Sequence, residues 1–417
     1  MKNSFVSFIL LIVWIDFGNC DLKGHLEPLG QQRESEGHIE VREDVPDVIT
    51  FHKDYVVGSK PVVFKGAGTN LPAFHLWTDE YMMEKFGDIP CDVEEGKKEN
   101  RSQGMWKWNY KRFLEHYQTD DVYMVNSLRG KLLEDLRLLP SLSCGGFTKV
   151  ISDVIMWFSS GGTKSVLHND RIDNINCLFS GTKELYMVDK KFEEFIDFDA
   201  EEGAYSKVDV DAVDLDKYPG IAQAPWWKAK MQAGDCLFIP EGWFHQVRSH
   251  TDNKRNMAVN VWFHHLPLIN QTECQQIDQE ENFNAFRTYD GINIGKSIEG
   301  ARFLLQLEVK DGPLSYKKFV RSVREHSDGL ARKSVFKKVI PLLDKNKDKQ
   351  ITLEEVNALS DDEVRLASQL FPMFALEEEE EEDELFEEDP MLEKNENEDL
   401  PPVKSEISSG SKLKKEL

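Results

Sequence analysis

The stretch Lys164-Ser165-Val166-Leu167-His168-Asn169-Asp170 sets an imidazole and a carboxylate two positions apart. If it is extended, His168 and Asp170 project from the same face, because strand side chains alternate. A second imidazole, His245, lies in the run 234–247, which reads as strand, turn at Pro240-Glu241-Gly242, strand. Two imidazoles and one carboxylate can occupy one face of an octahedral metal ion and leave three positions open on the other side. That donor set suits non-haem iron(II), which must hold a cosubstrate and dioxygen together. A lone His-x-Asp pair is more often a chance pair, and a lone histidine more often a core residue, so the case depends on the surrounding elements.

Those elements change character along the chain. Between residues 151 and 265, short apolar runs at 154–158, 175–179, 184–188, 235–239 and 257–263 alternate with glycine and charged turns. Many short strands at such spacing indicate a sandwich or barrel. Upstream, residues 51–150 mix helix and strand. The run 61–67 reads as a short buried strand ended by glycine, 78–86 as a helix capped by Thr78, and 108–117 as a second helix. Residues 266–335 return to helical periodicity, as at 300–307 and 316–323, and a calcium-loop-like segment spans 336–372. The fold class expected is mainly β with flanking helices, a barrel followed by a small α-helical segment. The ends are a 1–20 leader, a polar lead-in at 21–50 and an acidic tail at 373–417.

Several strings, in one order over about residues 50–265, carry a resemblance. They are 60–67 (KPVVFKGA), Pro72-Ala73, 77–88 (WTDEYMMEKFGD), His168-x-Asp170, Gly181-Thr182-Lys183, 234–247 and Asn260-Val261-Trp262. Together they resemble the jumonji C family in its cupin-like protein hydroxylase branch, with the pattern of the asparaginyl hydroxylase that inhibits hypoxia-inducible factor. The resemblance implies a double-stranded β-helix (jelly-roll) with Fe(II) at one mouth, held by His168, Asp170 and His245. It also implies 2-oxoglutarate as cosubstrate. The far carboxylate of 2-oxoglutarate needs a cation and hydroxyl donors inside the barrel. Lys183, fifteen residues after His168, has the relative's spacing for that cation. Ser165 takes the place of a threonine in the relative, Tyr123 looks like its third donor, and Asn174 and Asn260 match its pocket amides.

The rest of the sequence bounds compartment and partners. A net charge of -24 argues against a nucleic-acid partner, because phosphate binding needs a basic surface. Lys2 and the apolar run 8–15 read as a secretory leader too short for stable membrane insertion. The last four residues, Lys414-Lys415-Glu416-Leu417, resemble a KDEL-type retrieval signal read by the corresponding receptor. Sequons at Asn100 and Asn270 fit the same route, which ends in the endoplasmic reticulum lumen. Beyond Cys20, five cysteines remain, an odd number. Cys177 and Cys236 sit in apolar strand-like runs and read as core residues rather than disulfide partners.

The run 344–355 (DKNKDKQITLEE) resembles an EF-hand loop. Asp344, Asn346, Asp348, the Gln350 carbonyl, Thr352 through water and Glu355 would be its Ca2+ ligands. Lys349 stands where a glycine normally makes the sharp turn, which is expected to cost about 1 kcal/mol. Pro341 is expected to kink or end the helix before the loop. No second loop is visible to pair with it. The acidic run 377–384 reads as a solvated tail or weak calcium buffer.

The function expected is an Fe(II)- and 2-oxoglutarate-dependent dioxygenase that hydroxylates a polypeptide side chain in the secretory pathway. The rival is a non-catalytic calcium-binding lumenal protein on a cupin scaffold. A weaker third is an enzyme acting on a small molecule.

Overall fold

A computed structural model describes residues 22–97, 105–198, 205–280, 287–327, 330–372 and 374–376. The leader-like start, the Asn100 sequon, the acidic run and the last four residues lie outside the described residues.

The barrel strands follow one another as β1 (Glu40–Arg42), β2 (Val62–Phe64), β3 (Pro90–Glu95), β4 (Trp106–Asn109), β5 (Val122–Ser127), β6 (Ile151–Ser159), β7 (Asp173–Ser180), β8 (Thr182–Val188), β9 (Trp227–Gln232), β10 (Cys236–Ile239), β11 (Phe244–His250) and β12 (Asn256–Phe263). A nine-stranded sheet runs β1-β2-β10-β7-β12-β6-β5-β3-β4, and a smaller sheet runs β11-β8-β9. All pairings are antiparallel except β1 with β2. The protein is mainly β with flanking helices, as a cupin jelly roll requires.

The two sheets face each other across one apolar cluster. Val63, Leu178, Leu237 and Ala258 come from the large sheet, and Leu185, Met187, Ala229 and Met231 from the small one. The outer face of the large sheet buries a second, larger cluster against the helices. Strand β7 is therefore buried on both faces: Ile175, Cys177 and Phe179 pack into the larger cluster and Leu178 into the one between the sheets. Between β7 and β8 the chain passes from the large sheet to the small one through a single residue, Gly181. Its φ is +80°, and a Cβ there would lie 2.7 Å from the His250 carbonyl oxygen, so only glycine fits this corner.

One local expectation changes and another holds. Trp108 and Asn109, expected to begin the helix at 108–117, instead end a strand over 106–109, because Cys91 and Val93 of β3 pair with Trp108 and Trp106. Pairing overrides the helical pattern, and Asn109 then caps helix α2 (Tyr110–His116) by accepting from Arg112 N–H. Helix α1 (Asp79–Phe86) begins at Thr78, whose hydroxyl accepts from Tyr81 N–H.

The cysteine expectation is overturned. Cys177 and Cys236 form a disulfide, as do Cys144 and Cys274, while Cys91 is free and buried. The reason is register: β10 pairs with β7 so that Cys236 stands directly opposite Cys177, with Cα atoms 4.0 Å apart. Two apolar runs read separately cannot show that their cysteines share a rung.

After α3 (Gln271–Glu280) come α4 (Ile298–Glu308), α5 (Tyr316–His326), α6 (Lys333–Leu343), α7 (Leu353–Asn357) and α8 (Asp361–Ser368). Short strands β13 (Leu314–Ser315) and β14 (Gln350–Ile351) pair antiparallel, Leu314 opposite Ile351. This joins two helix–loop–helix units, α4–α5 and α6–α7, so the loop at 344–355 does have a partner. Sequence reading missed it because the partner loop, 309–315, carries only Asp311 as an acidic residue. Helix α6 also continues through Pro341 to Leu343, since Phe336, Val339 and Leu343 are buried and hold its last turn in place.

Candidate metal centre

The segment 164–170 docks along β11. His168 and His245 exchange backbone hydrogen bonds of 3.1 and 2.7 Å, and Gly242 N–H donates to the Asp170 carbonyl at 2.8 Å. This local pairing puts His168, Asp170 and His245 together, with one ligand atom of each within 4.8 Å of the others. His245 Nε2 lies 3.7 Å from Asp170 Oδ2, and the two imidazole centroids are 4.3 Å apart.

Each imidazole is oriented by its own backbone. His168 Nδ1 bonds to the Val166 carbonyl and His245 Nδ1 to the Trp243 carbonyl, both at 3.0 Å. A carbonyl can only accept, so each Nδ1 carries the proton and each Nε2 presents a lone pair. Ligating histidines are usually held this way, by a hydrogen bond on the far nitrogen. Burial, together with the neighbouring His168, lowers the His245 pKa, against the opposing pull of Asp170. A neutral imidazole is the form that ligates metal.

Deeper in the barrel, Lys183 of β8 points inward beside Ser249 of β11. It is buried at 6% exposure, and burial pushes its pKa down to about 8. Among the described residues it has no hydrogen-bond or ion-pair partner. Charges are rarely buried unpaired, so this amine is arranged for an anion that the protein chain does not supply.

Across the interior, rungs of the large sheet bring polar groups to the same inner face. Asn260 is opposite Asn176, Trp262 opposite Asn174, and Tyr123 of β5 opposite Ser159. Asn176 Nδ2 donates to Asn260 Oδ1 at 2.6 Å. Asn174 Oδ1, Asn176 Oδ1, Trp157 Nε1 and Trp262 Nε1 are buried with no hydrogen-bond partner among the described residues. Several unsatisfied polar atoms on one inner face mark a cavity that a polar guest completes. The residues present thus fit both a metal ion at the His-Asp-His group and an acidic cosubstrate reaching Lys183.

Tyr123, Asn174, Asn260 and Lys183 therefore share the interior. Ser165 differs, because its hydroxyl is engaged by the backbone: it accepts from Val247 N–H at 2.9 Å and donates to the Val166 carbonyl at 3.0 Å. It fastens the ligand-bearing segment to β11. Sequence reading missed Asn176 and Trp157 as interior groups. The signal for Asn176 was available, since it stands two positions after Asn174 and so shares its face.

The residues Asp344, Asn346, Asp348, Gln350 and Glu355 occupy the loop between α6 and α7. Lys347 and Lys349 both adopt positive φ, 61° and 68°. Asp344 Oδ1 accepts from Asp348 N–H and its Oδ2 from Lys349 N–H and the Tyr316 hydroxyl. The Tyr316 bond above all, with the loop N–H groups, keeps the Asp344 pKa below the usual carboxylate range. Asp348 Oδ1 accepts from Gln350 N–H, and Asn346 Oδ1 from Asp348 N–H. Glu355 Oε2 closes a capping box with Thr352, while its Oε1 is buried without a partner.

Residues 49–268, more than half of the chain, match the profile of the cupin-like domain. The chain belongs to the cupin-like domain family. Over 217 residues this cupin-like protein is 28% identical to lysine-specific demethylase 8 of Xenopus tropicalis, covering 49% of the chain and 48% of the relative. It is 24% identical over 260 residues to the bifunctional peptidase and (3S)-lysyl hydroxylase JMJD7 of Homo sapiens, covering 52% of the chain and 81% of that protein. A shorter match, 34% over 117 residues, is to tRNA wybutosine-synthesizing protein 5 of Mus musculus, covering 28% of the chain and 34% of the relative. The chain thus spans about half the length of the frog relative and more of the human one.

Proposed function

We propose that this cupin-like protein is an iron(II)- and 2-oxoglutarate-dependent oxygenase that hydroxylates a polypeptide side chain in the secretory pathway. The observation that carries the reading is the pairing of two features in one barrel. A His-Asp-His group has both imidazoles turned to offer Nε2, and a buried lysine lacks an anion. His168, Asp170 and His245 would hold iron, and Lys183 would hold the far carboxylate of 2-oxoglutarate, with Asn260 and Tyr123 on the facing wall. Bound together, iron and 2-oxoglutarate supply the oxygen-activating chemistry. The chain orients both histidines through the Val166 and Trp243 carbonyls, pins the Ser165 segment to β11, and packs an apolar cluster between the two sheets. The names of the frog and human relatives, a lysine-specific demethylase and a lysyl hydroxylase, support oxygenation of a polypeptide. The mouse relative's name points to tRNA, but the net charge of -24 makes a poor surface for it. Purified chain should bind one Fe(II) and convert 2-oxoglutarate to succinate, and mass spectrometry of lumenal proteins with and without an intact iron site should reveal the modified target. Full turnover in His245→Ala would sink the reading.

The reticulum lumen is the proposed compartment. Two disulfides among the described residues suit an oxidising environment, and Asn270 is exposed, as a glycan acceptor must be. Deleting Lys414 to Leu417 should send the protein to the medium, and unchanged retention removes the tail from the case.

The second reading concerns calcium. The β13–β14 pairing, which sets the α6–α7 loop against a second helix–loop–helix unit, supports an EF-hand reading, as does Glu355 Oε1, which lacks a partner among the described residues. Asp344 and Asp348 are engaged by the loop's own N–H groups, and Lys345, Lys347 and Lys349 dilute the negative charge. Weak calcium binding, about 10⁻⁴ to 10⁻³ M as in extracellular modules, follows. A chain that took up calcium but no iron would instead be the non-catalytic lumenal protein.

A further inference from the structure

Between β8 and β9 the chain makes an insert, residues 189–226. Part of it runs back against the segment that carries His168 and Asp170. Tyr205 and His168 form an antiparallel bridge, and Ser206 N–H donates to the Leu167 carbonyl at 2.8 Å. His168 also bridges His245 of β11. The metal-directed segment is thus held by β11 and by the insert together. Side chains repeat the contact. Lys164 Nζ pairs with Asp211 Oδ1 at 2.8 Å, and Leu167 is buried in one cluster with Val208, Val210 and Val213 of the insert. The N-terminal lead-in supports the insert in turn: Leu26 N–H donates to the Val213 carbonyl and Leu29 N–H to the Val210 carbonyl.

One contact of the insert reaches a metal-directed ring. The Tyr205 ring stacks on the His168 imidazole, centroids 5.6 Å apart and planes 19° apart, within the range that aromatic pairs prefer. The other contacts of His168 leave work for this stack to do. The hydrogen bond between Nδ1 and the Val166 carbonyl fixes the ring at one atom, and the outer torsion of a histidine is broad, so the plane can still swing. His245 meets the ring at 52°, a tilt that stacks on neither face. A flat neighbour at 19° supplies the missing restraint. The stack also responds to charge. A divalent cation on Nε2 draws electron density out of the imidazole, and an electron-rich phenol ring attracts a ring of positive character. The stack is therefore stronger with metal bound than without, and a contact that favours the bound form raises affinity.

We infer that Tyr205 is a positioning residue for the metal centre: the insert lays its ring against His168 and holds the imidazole plane in the orientation that ligates. Tyr205 acts through His168 and is not itself a ligand. The inference rests on the oxygenase reading above, in which His168 holds iron.

The test titrates cobalt(II), a stand-in for iron(II) that absorbs visible light, into the metal-free full chain. Tyr205→Leu and Tyr205→Met remove the ring and keep an apolar side chain, while Tyr205→Phe keeps the ring and drops the hydroxyl. Both ring-less variants should bind cobalt(II) about tenfold more weakly than wild type, the lower end of what groups supporting a metal ligand contribute, and their visible bands should shift. Tyr205→Phe should stay within about twofold of wild type and keep its spectrum. Melting of each metal-free variant, measured alongside, separates positioning from folding, and all three should melt within a few degrees of wild type. Three results overturn the assignment. Unchanged affinity and spectrum in the ring-less variants show an idle stack. A Phe variant as weak as Leu and Met shows that the hydroxyl acts and not the ring. Ring-less variants that melt far below wild type without metal show that Tyr205 serves the fold. Wild type that takes up no cobalt(II) sinks the oxygenase reading and this inference together, whereas uptake that every variant matches sinks the inference alone.

Discussion

The barrel mouth and the 344–355 loop both gather metal-type donors within a few residues, yet they leave those donors in opposite states. At the mouth, the backbone takes the far nitrogen of each histidine and leaves Nε2 open. In the loop, the backbone takes the carboxylate oxygens themselves: Asp344 and Asp348 are bound by neighbouring N–H groups and by Tyr316. The first arrangement is preorganised for an ion. The second satisfies itself, and an ion must displace internal hydrogen bonds to enter. Donor identity alone therefore says little about affinity; what matters is which atom of each donor the fold has already used.

The largest effect expected from this contrast is at the mouth. Asp170→Ala or His168→Ala should remove both Fe(II) binding and 2-oxoglutarate turnover, read by metal analysis of the purified chain and by succinate release. Retained stoichiometric iron in either variant would break the comparison at its stronger end.

Lys183→Met comes next, and it should move stability and binding in opposite directions. The folded pKa of Lys183, about 8, lies below its ordinary 10.5 because of burial. At pH 7 both the folded and unfolded forms are charged, so the whole burial penalty is present, on the order of 3 kcal/mol at about 1.4 kcal/mol per pKa unit. As pH rises from 8 to 10.5 the unfolded state still holds the proton that the folded state has released, so wild-type stability relative to the variant recovers. Lys183→Met without ligand should therefore melt higher than wild type at pH 7, with the gap closing above about pH 10. The variant should also lose the thermal shift that 2-oxoglutarate gives the wild type. A variant that melts lower without ligand shows that Lys183 has an internal partner, and one that keeps that shift shows that another group holds the carboxylate.

Calcium effects should be smaller. Ten times the dissociation constant of free calcium stabilises a folded state by only about 1.4 kcal/mol, so millimolar calcium should raise the melting temperature by a few degrees. Glu355→Gln should erase that rise. Calorimetry on a chain ending at Pro372, without the acidic run, separates loop from tail, and the absence of heat up to several millimolar calcium would end the loop reading. The smallest effect is the sharpest for the comparison. Tyr316→Phe removes one of the two hydrogen bonds on Asp344 Oδ2 and should tighten calcium binding. If the substitution weakens binding instead, the Tyr316 bond helps to organise the loop.

Much was legible in the sequence because it depended on local periodicity. The short apolar runs that placed strands at 154–158, 175–179 and 257–263, and the cap at Thr78, involve residues within a few positions of one another. The strand period of two put His168 beside Asp170 and Asn174 beside Asn176 on one face. The type and order of the donors, the lysine fifteen residues on, and the mismatch of Lys349 with a glycine turn are likewise properties of the string.

What the tertiary structure decided is everything that depends on register between distant segments. Cys177 and Cys236, 59 residues apart, became a disulfide because β7 and β10 align them on one rung, and a shift of one residue would have turned them to opposite faces. Trp108 became a strand residue through β3. Loop 309–315, nearly empty of acidic groups, became the partner of a calcium-like loop through the pairing of Leu314 with Ile351. Ser165 was read as a pocket donor, yet its hydroxyl is engaged by Val247 across the fold. Nor could the sequence show that Lys183 lacks a counter-ion. An unpaired group is defined by the positions of all its neighbours, and only the folded chain fixes those.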